Sequence, residues 1–281
     1  SENNFKDQII HIVVNNVKVD NLEIENISDS IKANSLIVEL KFICLNKNEI
    51  IEKSNLFKKN NLNISNIYCT SYVKTNFYKK DLEKKKNFIF LDIGFERSTA
   101  LIYINNKFEF LNSVSIGGNT ITKDISKVLN LNIEYSENLK IKLNNDEDKI
   151  SLKEKMLDGL NPFSEISEKN ISINTLKEII EARLDEIIEI AVIKNNYFKK
   201  FNTLEKPCLI LIGDGSRLLV NINKLKIKNK FAEFIHLDEN DSMICEAGFN
   251  YSKSEESLLT LSKKKTKKVG FFEGFFNLFS R

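Results

Sequence analysis

The residues of this chain with the most pronounced physical chemistry lie at its end, in "VGFFEGFFNLFSR". Placed on a helix at ~100° per residue, Phe271, Phe272, Phe275, Phe276, Leu278 and Phe279 share an arc of ~160°, while Glu273, Asn277, Ser280 and Arg281 fall outside it. Such a helix is ~18 Å long, too short to cross a ~30 Å hydrocarbon layer, so its apolar face suits the plane of a membrane interface. Just upstream stand Lys263, Lys264, Lys265, Lys267 and Lys268. Near an anionic leaflet each cation adds up to ~1 kcal/mol of attraction. The alternative is a terminal helix that docks its Phe face on its own domain. Against it, the lysines form a solvated leash that holds the segment away from the body.

The rest of the chain shows little that could do covalent chemistry. Cys44, Cys69, Cys208 and Cys245 are far apart with no C-x-x-C, and His11 and His236 stand alone. That pattern argues against a disulfide framework or a zinc site, fits a reducing compartment, and makes each cysteine an expected buried apolar residue. No Ser/His/Asp or Cys/His arrangement offers a catalytic centre. The 42 basic and 39 acidic residues are too balanced for a general nucleic-acid binder, and 42% apolar residues over 281 positions can bury a substantial core. No apolar run approaches the ~20 residues of a spanning helix, and no signal peptide opens the chain.

Several elements are legible from periodicity. "IIHIVVNNVKV" (9–19) and "LIVELKFICL" (36–45) alternate as strands, and residues 47–60 read as a short helix. Strands at 88–93, 99–104 and about 107–114 make a meander with a turn at Gly94–Ser98. Thr120 stands where it would cap a following helix. A long amphipathic helix is expected over 174–195, with Leu176, Ile179, Ile180, Leu184, Ile187 and Ile188 on one face. "PCLILIGDGSRLLVNI" reads as a buried strand, a Gly turn and a helix. Residues 144–170 are polar and irregular, and "SKSEESLLTLSKKKTKK" reads as a linker.

The order of four of these segments resembles the FtsA family of the actin-like ATPase superfamily. "LDIGFERSTALIY" stands where that superfamily carries its second phosphate hairpin. "SIGGNTITKDISKVL" followed by "SENLKIKL" is similar to the family's Gly-Gly, Thr, Asp-Ile and Glu-x-Leu-Lys pattern. "EIIEARLDEIIEI" is similar to its next helix, and "LILIGDGSRL" to its adenosine turn. The basic linker and amphipathic terminus complete the likeness, which runs over about Ile9 to Arg281. It implies an α/β, actin-like (ribonuclease H-like) fold, partial here, with small insertion subdomains. ATP with Mg is the implied ligand. By position, Asp92, Gly94 and Ser98 fall to the phosphates and metal, Gly117 and Gly118 to the cleft, Glu186 to the ribose, and Gly213, Gly215 and Ser216 to the adenosine.

This chain also departs from the pattern. Phe95 and Glu96 replace two hairpin glycines whose task is to let backbone N–H groups approach phosphate oxygens. Phe95 blocks that approach and Glu96 repels an anion, with Arg97 partly offsetting it. Asp214 interrupts the adenosine turn. The family's first phosphate hairpin lies near an N-terminus that this sequence lacks, so an incomplete nucleotide site and a truncated start are expected, with no enzymatic activity beyond weak ATP hydrolysis.

The resemblance further implies a division of labour. Residues 1–75 correspond to the remainder of a small subdomain that contacts neighbouring protomers in a filament, and 76–130 to the lobe with the phosphate hairpin. Residues 131–203 correspond to the subdomain that receives the C-terminal peptide of the tubulin-like protein FtsZ, with Lys177, Arg183, Lys194, Lys199 and Lys200 as exposed basic candidates. Residues 204–250 return to the core, 251–269 form the linker and 270–281 the membrane helix. The implied protein is a peripheral tether on the cytoplasmic face of the bacterial plasma membrane at the division site, with FtsZ, itself and lipid as partners. A pilus-assembly ATPase-like protein and a sugar-kinase-like or chaperone-like ATPase of the same superfamily are the alternatives. The tail favours the tether, because a soluble kinase has no use for an amphipathic terminus.

Overall fold

Alternation of β-branched residues makes β1 (Asp7–Val19) a long strand. It turns through Asp20 and Asn21, both at positive φ, into the two-residue β2 (Leu22–Glu23). On its other side β1 pairs antiparallel with β3 (Leu36–Asn46), from Asp7 opposite Asn46 to Val19 opposite Leu36. Asn46 then caps α1 (Lys47–Lys59) by accepting from the Asn48 N–H. A second helix, α2 (Thr70–Lys79), buries Tyr72, Val73, Thr75 and Tyr78. This is the computed structural model of residues 6–24, 33–82, 85–145, 173–219 and 225–254. The chain divides into two units, one of residues 1–84, 106–108 and 240–281, the other of 85–105 and 109–239.

The second unit is built on the apolar run "FIFLDI". Every residue of β4 (Phe88–Ile93) is buried, as a strand covered on both faces must be. It pairs antiparallel with β5 (Ser98–Ile104), Phe88 opposite Tyr103 and Ile93 opposite Ser98. The Asn105–Asn106 turn, positive in φ at both residues, leads into β6 (Lys107–Val114). Helices α3 (Gly118–Leu129), α4 (Ile133–Asn145) and α5 (Ile173–Ile188) follow. The chain then returns as β7 (Cys208–Ile212), parallel to β4, and β8 (Glu233–His236), parallel to β7. The order is β6-β5-β4-β7-β8, a mixed α/β sheet. Ile121, Ile125, Leu139, Leu176, Ile180, Leu184, Ile187 and Ile188 pack on it from the helices. The chain ends its described part in α6 (Asp241–Ser252), capped by Asn240 and packed on α2 in the first unit.

Several expectations need correction. The cap of α3 is Gly117 rather than Thr120, which lies inside the first turn. The long helix is α-helical only to Ile188, and Glu189–Ile193 widens into a π turn whose last N–H, on Lys194, reaches back to the Glu189 carbonyl at 2.8 Å. Asn112 of β6 holds that turn, its Nδ2 donating to the Ala191 carbonyl at 3.0 Å. Of the cysteines only Cys208 is buried, while Cys44 and Cys245 are exposed. Tyr251 and Ser252, expected to begin the linker, instead end α6, and residues 146–172 and 255–281 lie outside the described residues. Among the described residues no helix is long and apolar enough to cross a membrane.

In the first unit a fully buried His11 joins three elements. The Cys69 N–H donates to Nε2 at 2.7 Å, so Nδ1 carries the proton and donates to the Tyr251 hydroxyl at 2.8 Å. Tyr68 and Tyr72 surround the ring. Burial pushes the imidazole down to about 4 from its ordinary 6.5. The unfolded chain protonates His11 below pH ~6.5 and the folded chain only near pH 4. The neutral imidazole therefore contributes its full stability above pH ~6.5 and loses it as pH falls toward 4, a difference of up to roughly 3 kcal/mol. His11→Phe is expected to remove that component of the acid-side slope in chemical denaturation between pH 6.5 and 4. An unchanged slope would contradict the assignment.

Candidate functional site

The second unit holds a cleft of about 480 Å³ lined by Gly94, Phe95, Gly118, Glu137, Lys140, Ile141, Asp214, Gly215, Arg217 and Leu218. Its volume suits a small organic ligand. One wall is the β4–β5 turn, closed by the Gly94 N–H donating to the Arg97 carbonyl at 2.9 Å. Helix α3 starts directly against that turn, which Gly117 makes possible. A Cβ there would lie 2.5 Å from the Gly94 oxygen, 2.6 Å from the Phe95 oxygen and 2.8 Å from the Arg97 nitrogen.

This contact decides what the wall can bind. A helix start normally offers unpaired N–H groups to an anion. Here the Gly118 N–H donates to the Gly94 carbonyl at 2.9 Å, Asn119 to the Phe95 carbonyl at 2.8 Å and Thr120 to the Gly117 carbonyl at 3.0 Å. Asn119 also donates through Nδ2 to Glu96 at 2.7 Å. Phe95, 59% exposed, stands at the cleft. The wall thus presents an aromatic ring beside a neighbouring carboxylate, with the helix donors already used. It does not match the Gly-lined cradle that a triphosphate with Mg requires.

A polar cluster on α3 and α4 also lines the cleft. The buried Lys140 ammonium donates to the Gly118 carbonyl at 3.0 Å, to Thr122 Oγ1 at 2.9 Å and to Glu137 Oε2 at 2.7 Å. Thr122 also contacts Glu137. A pair one turn apart, with Lys140 already neutralised, suits hydroxyl recognition better than a second anion. Asp214 and Gly215 of the turn after β7 also line the cleft, and in that turn Gly213 takes φ +82° and a Cβ would meet Asp92 Oδ1 at 2.5 Å. At Gly215 a Cβ would meet Ile93 Cγ2 at 2.5 Å. The Gly213 N–H donates to Glu239 Oε2 at 2.7 Å, and Arg217 reaches the Glu239 carbonyl at 3.1 Å.

Of the residues singled out in the sequence, Gly94, Gly118 and Gly215 line the cleft. Gly117 and Gly213 instead provide close packing, and Asp92 is buried by the Gly213 turn. Ser98 is fully buried and donates to the Ile116 carbonyl at 2.7 Å. Glu186 is paired with Arg183 and lines no part of the cleft. Ser216, His236 and Asp238 do follow triad order, Ser216 Oγ lying 3.0 Å from His236 Nε2 and His236 Nδ1 3.7 Å from Asp238. Yet Ser216 is fully buried and donates its proton to the Gly213 carbonyl at 2.6 Å, so the histidine donates to the serine and no nucleophile results. Glu137 and Lys140, the ends of the Glu-x-Leu-Lys pattern, and Arg217 line the cleft although none was among the site candidates. The spacing of Glu137 and Lys140 after the Gly-Gly pair was the available signal.

The basic candidates also divide. Arg183 is half-buried rather than exposed, its guanidinium held by Asp124 at 2.5 and 3.0 Å, and these bonds raise its pKa further. Lys177 is half-buried as well. Lys194 is exposed, 3.3 Å from Glu189, and Lys199 is exposed beside Asn196. Lys200 lies 3.2 Å from Glu109 and over the Tyr197 ring.

A family model described as Cell division protein FtsA matches residues 89–243, more than half of the chain and the stretch that builds the sheet and cleft. Among curated proteins, the cell division protein FtsA of Streptococcus pneumoniae serotype 2 is 30% identical over 135 residues, 48% of this chain and 28% of that protein. The match therefore spans little more than a quarter of that relative's length. Among solved structures, the PilM-PilN type IV pilus biogenesis complex is 13% identical with a TM-score of 0.47, covering 82% of this chain and 63% of that one. MreB5 of Spiroplasma citri bound to ADP is 12% identical with a TM-score of 0.48, covering 79% and 69%.

Proposed function

Because this chain belongs to the FtsA family of cell division proteins, we propose that it is a tether that holds FtsZ polymers at the cytoplasmic face of the plasma membrane. The observation that carries this reading is the family match over 89–243, which spans β4 to β8, α3 to α5 and the cleft. A three-stranded meander extended by two parallel strands supports an actin-like lobe. The tail supplies the membrane contact through Phe271, Phe272, Phe275, Phe276, Leu278 and Phe279. Self-association through the first unit multiplies a weak anchor into a durable one. Work of this kind is binding and assembly, and it requires no reactive side chain.

The FtsZ C-terminal peptide docks on the second unit near the end of α5 in this reading. Lys194, Lys199 and Lys200 are exposed cations there, Lys200 beside Glu109, and Arg183 is already committed to Asp124. Lys194→Glu with Lys199→Glu is expected to weaken peptide binding by about tenfold, or ~1.4 kcal/mol, in fluorescence anisotropy. Equal affinity would move the peptide site elsewhere.

ATP is a weak ligand at most in this reading, because the phosphate wall carries Phe95 and Glu96 and the helix donors are taken. Calorimetry with ATP and Mg is expected to give no micromolar binding. Replacing Phe95 and Glu96 together by Gly removes a ring and a negative charge and is expected to tighten binding at least about tenfold. Micromolar binding by the parent chain would overturn this part.

A further inference from the structure

We infer that the C-terminal end of α1, with the turn that follows it, enters an anionic lipid surface as a second membrane contact. The inference goes beyond the tether reading, which places its membrane contact in the terminal segment. Residues 33–82 are described without a break, so α1 carries both of its flanking segments. It buries none of its 13 residues, and only Ile50 and Ser54 are partly covered. A helix held so lightly normally turns polar side chains to water all round. Here the last turn and the residues after it expose Leu56, Phe57 and Leu62, at 61%, 48% and 56%.

The backbone at this end is closed on itself. Asn61 takes φ +58°, the Leu62 N–H donates to the Phe57 carbonyl and the Asn61 N–H to the Lys58 carbonyl, each at 3.0 Å. Asn60 Nδ2 donates to the Leu56 carbonyl at 3.0 Å. The carbonyls that end a helix are otherwise left to water. With these three satisfied inside the chain, the end can leave water without stranding them.

Charge sets the occupant. Lys53, Lys58 and Lys59 accompany the apolar residues, and after Glu52 the sequence has no acidic residue until Asp81. Among the described residues none of the three lysines has an ion-pair partner. Lys58 and Lys59, in the last turn, also offset the negative end of the helix dipole, which would otherwise repel an anionic surface. A leaflet supplies hydrocarbon for Leu56, Phe57 and Leu62 and headgroup phosphates for the lysines in one plane. A helix whose every residue is at least partly exposed presents an end rather than a groove, which suits a plane better than a bound peptide. The contact is weak by itself and gains its effect beside the terminal anchor through effective concentration.

The chain contains no tryptophan, so Phe57→Trp places a single reporter at this end. With vesicles of phosphatidylglycerol and phosphatidylcholine, the emission of the full chain is expected to shift to the blue and to be quenched by brominated acyl chains. Leu22→Trp is expected to show neither, since Leu22 is 72% exposed beside Val19, at the end of the sheet remote from Asn46, where α1 begins. Leu56→Ser with Leu62→Ser is expected to weaken vesicle binding about tenfold at an unchanged melting temperature, both positions being exposed. Replacing Lys53, Lys58 and Lys59 by Gln is expected to weaken it on the anionic vesicles and not on phosphatidylcholine alone. Quenching is expected to persist at high lipid concentration when Phe272→Glu and Phe276→Glu are added, which separates this contact from the terminal one. A reporter that stays unquenched on vesicle-bound chain overturns the inference and leaves the tether standing. A blue shift without quenching would mean that a protein surface covers the end, and quenching that vanishes with the tail substitutions at every lipid concentration would mean that the end binds no lipid of its own. Either result overturns the inference as well.

Discussion

Replacing Phe272 and Phe276 by Glu is expected to abolish co-sedimentation of the chain with anionic liposomes, a loss of at least about a hundredfold in affinity. Both positions lie inside the apolar arc that the sequence would place on one face of a helix, in a segment outside the described residues. Each carboxylate would have to leave water, at a cost of several kcal/mol, or keep the helix out of the bilayer. About 2.7 kcal/mol already suffices for a hundredfold change. The melting temperature is expected to hold, because an interfacial helix on a basic leash adds nothing to either core. Neutralising Lys263, Lys264, Lys265, Lys267 and Lys268 has a different signature, weakening binding mainly to anionic vesicles and removing its salt dependence. Full binding by the Glu variant, or unfolding tens of degrees earlier, would identify a docked structural helix.

The second large effect lies in the cleft. Glu137→Ala is expected to destabilise the fold by roughly 3 kcal/mol, because it strands a buried ammonium with only a carbonyl and a hydroxyl. The lower end of the usual range applies, since Glu137 keeps about 30% of its side chain in solvent while Lys140 keeps 7%. Adding Lys140→Met removes the stranded charge and fills its volume, so the double variant is expected to regain most of the loss. Urea denaturation of the four proteins of this cycle measures the coupling directly. Additive losses would show that the pair does not act as a unit.

The glycines that pack the turns behind the cleft were legible in the sequence because a backbone approach leaves no alternative residue. Gly117 and Gly213 have under 3 Å for a Cβ, and no other side chain fits. The serines were misleading for the complementary reason. Ser98 and Ser216 have the spacing of ligand contacts, but their direction is set by tertiary packing, and both hydroxyls donate to backbone carbonyls. Direction also hid Lys140, since which face of α4 meets the cleft depends on how α3 lies against it. Strands β4, β5 and β6 were readable from continuous or alternating apolar residues. Strand β8 has four residues, too few for a period, and α2 and α6 find their buried faces in each other across a long sequence separation.

The direct test of the tether is flotation of polymerised FtsZ with anionic liposomes. FtsZ alone is expected to stay at the bottom of the gradient and to float when this chain is added. It is expected to sink again when the chain carries Phe272→Glu with Phe276→Glu, although that variant still binds the FtsZ peptide. FtsZ that stays at the bottom beside liposome-bound chain, or floats equally with the Glu variant, would contradict the account.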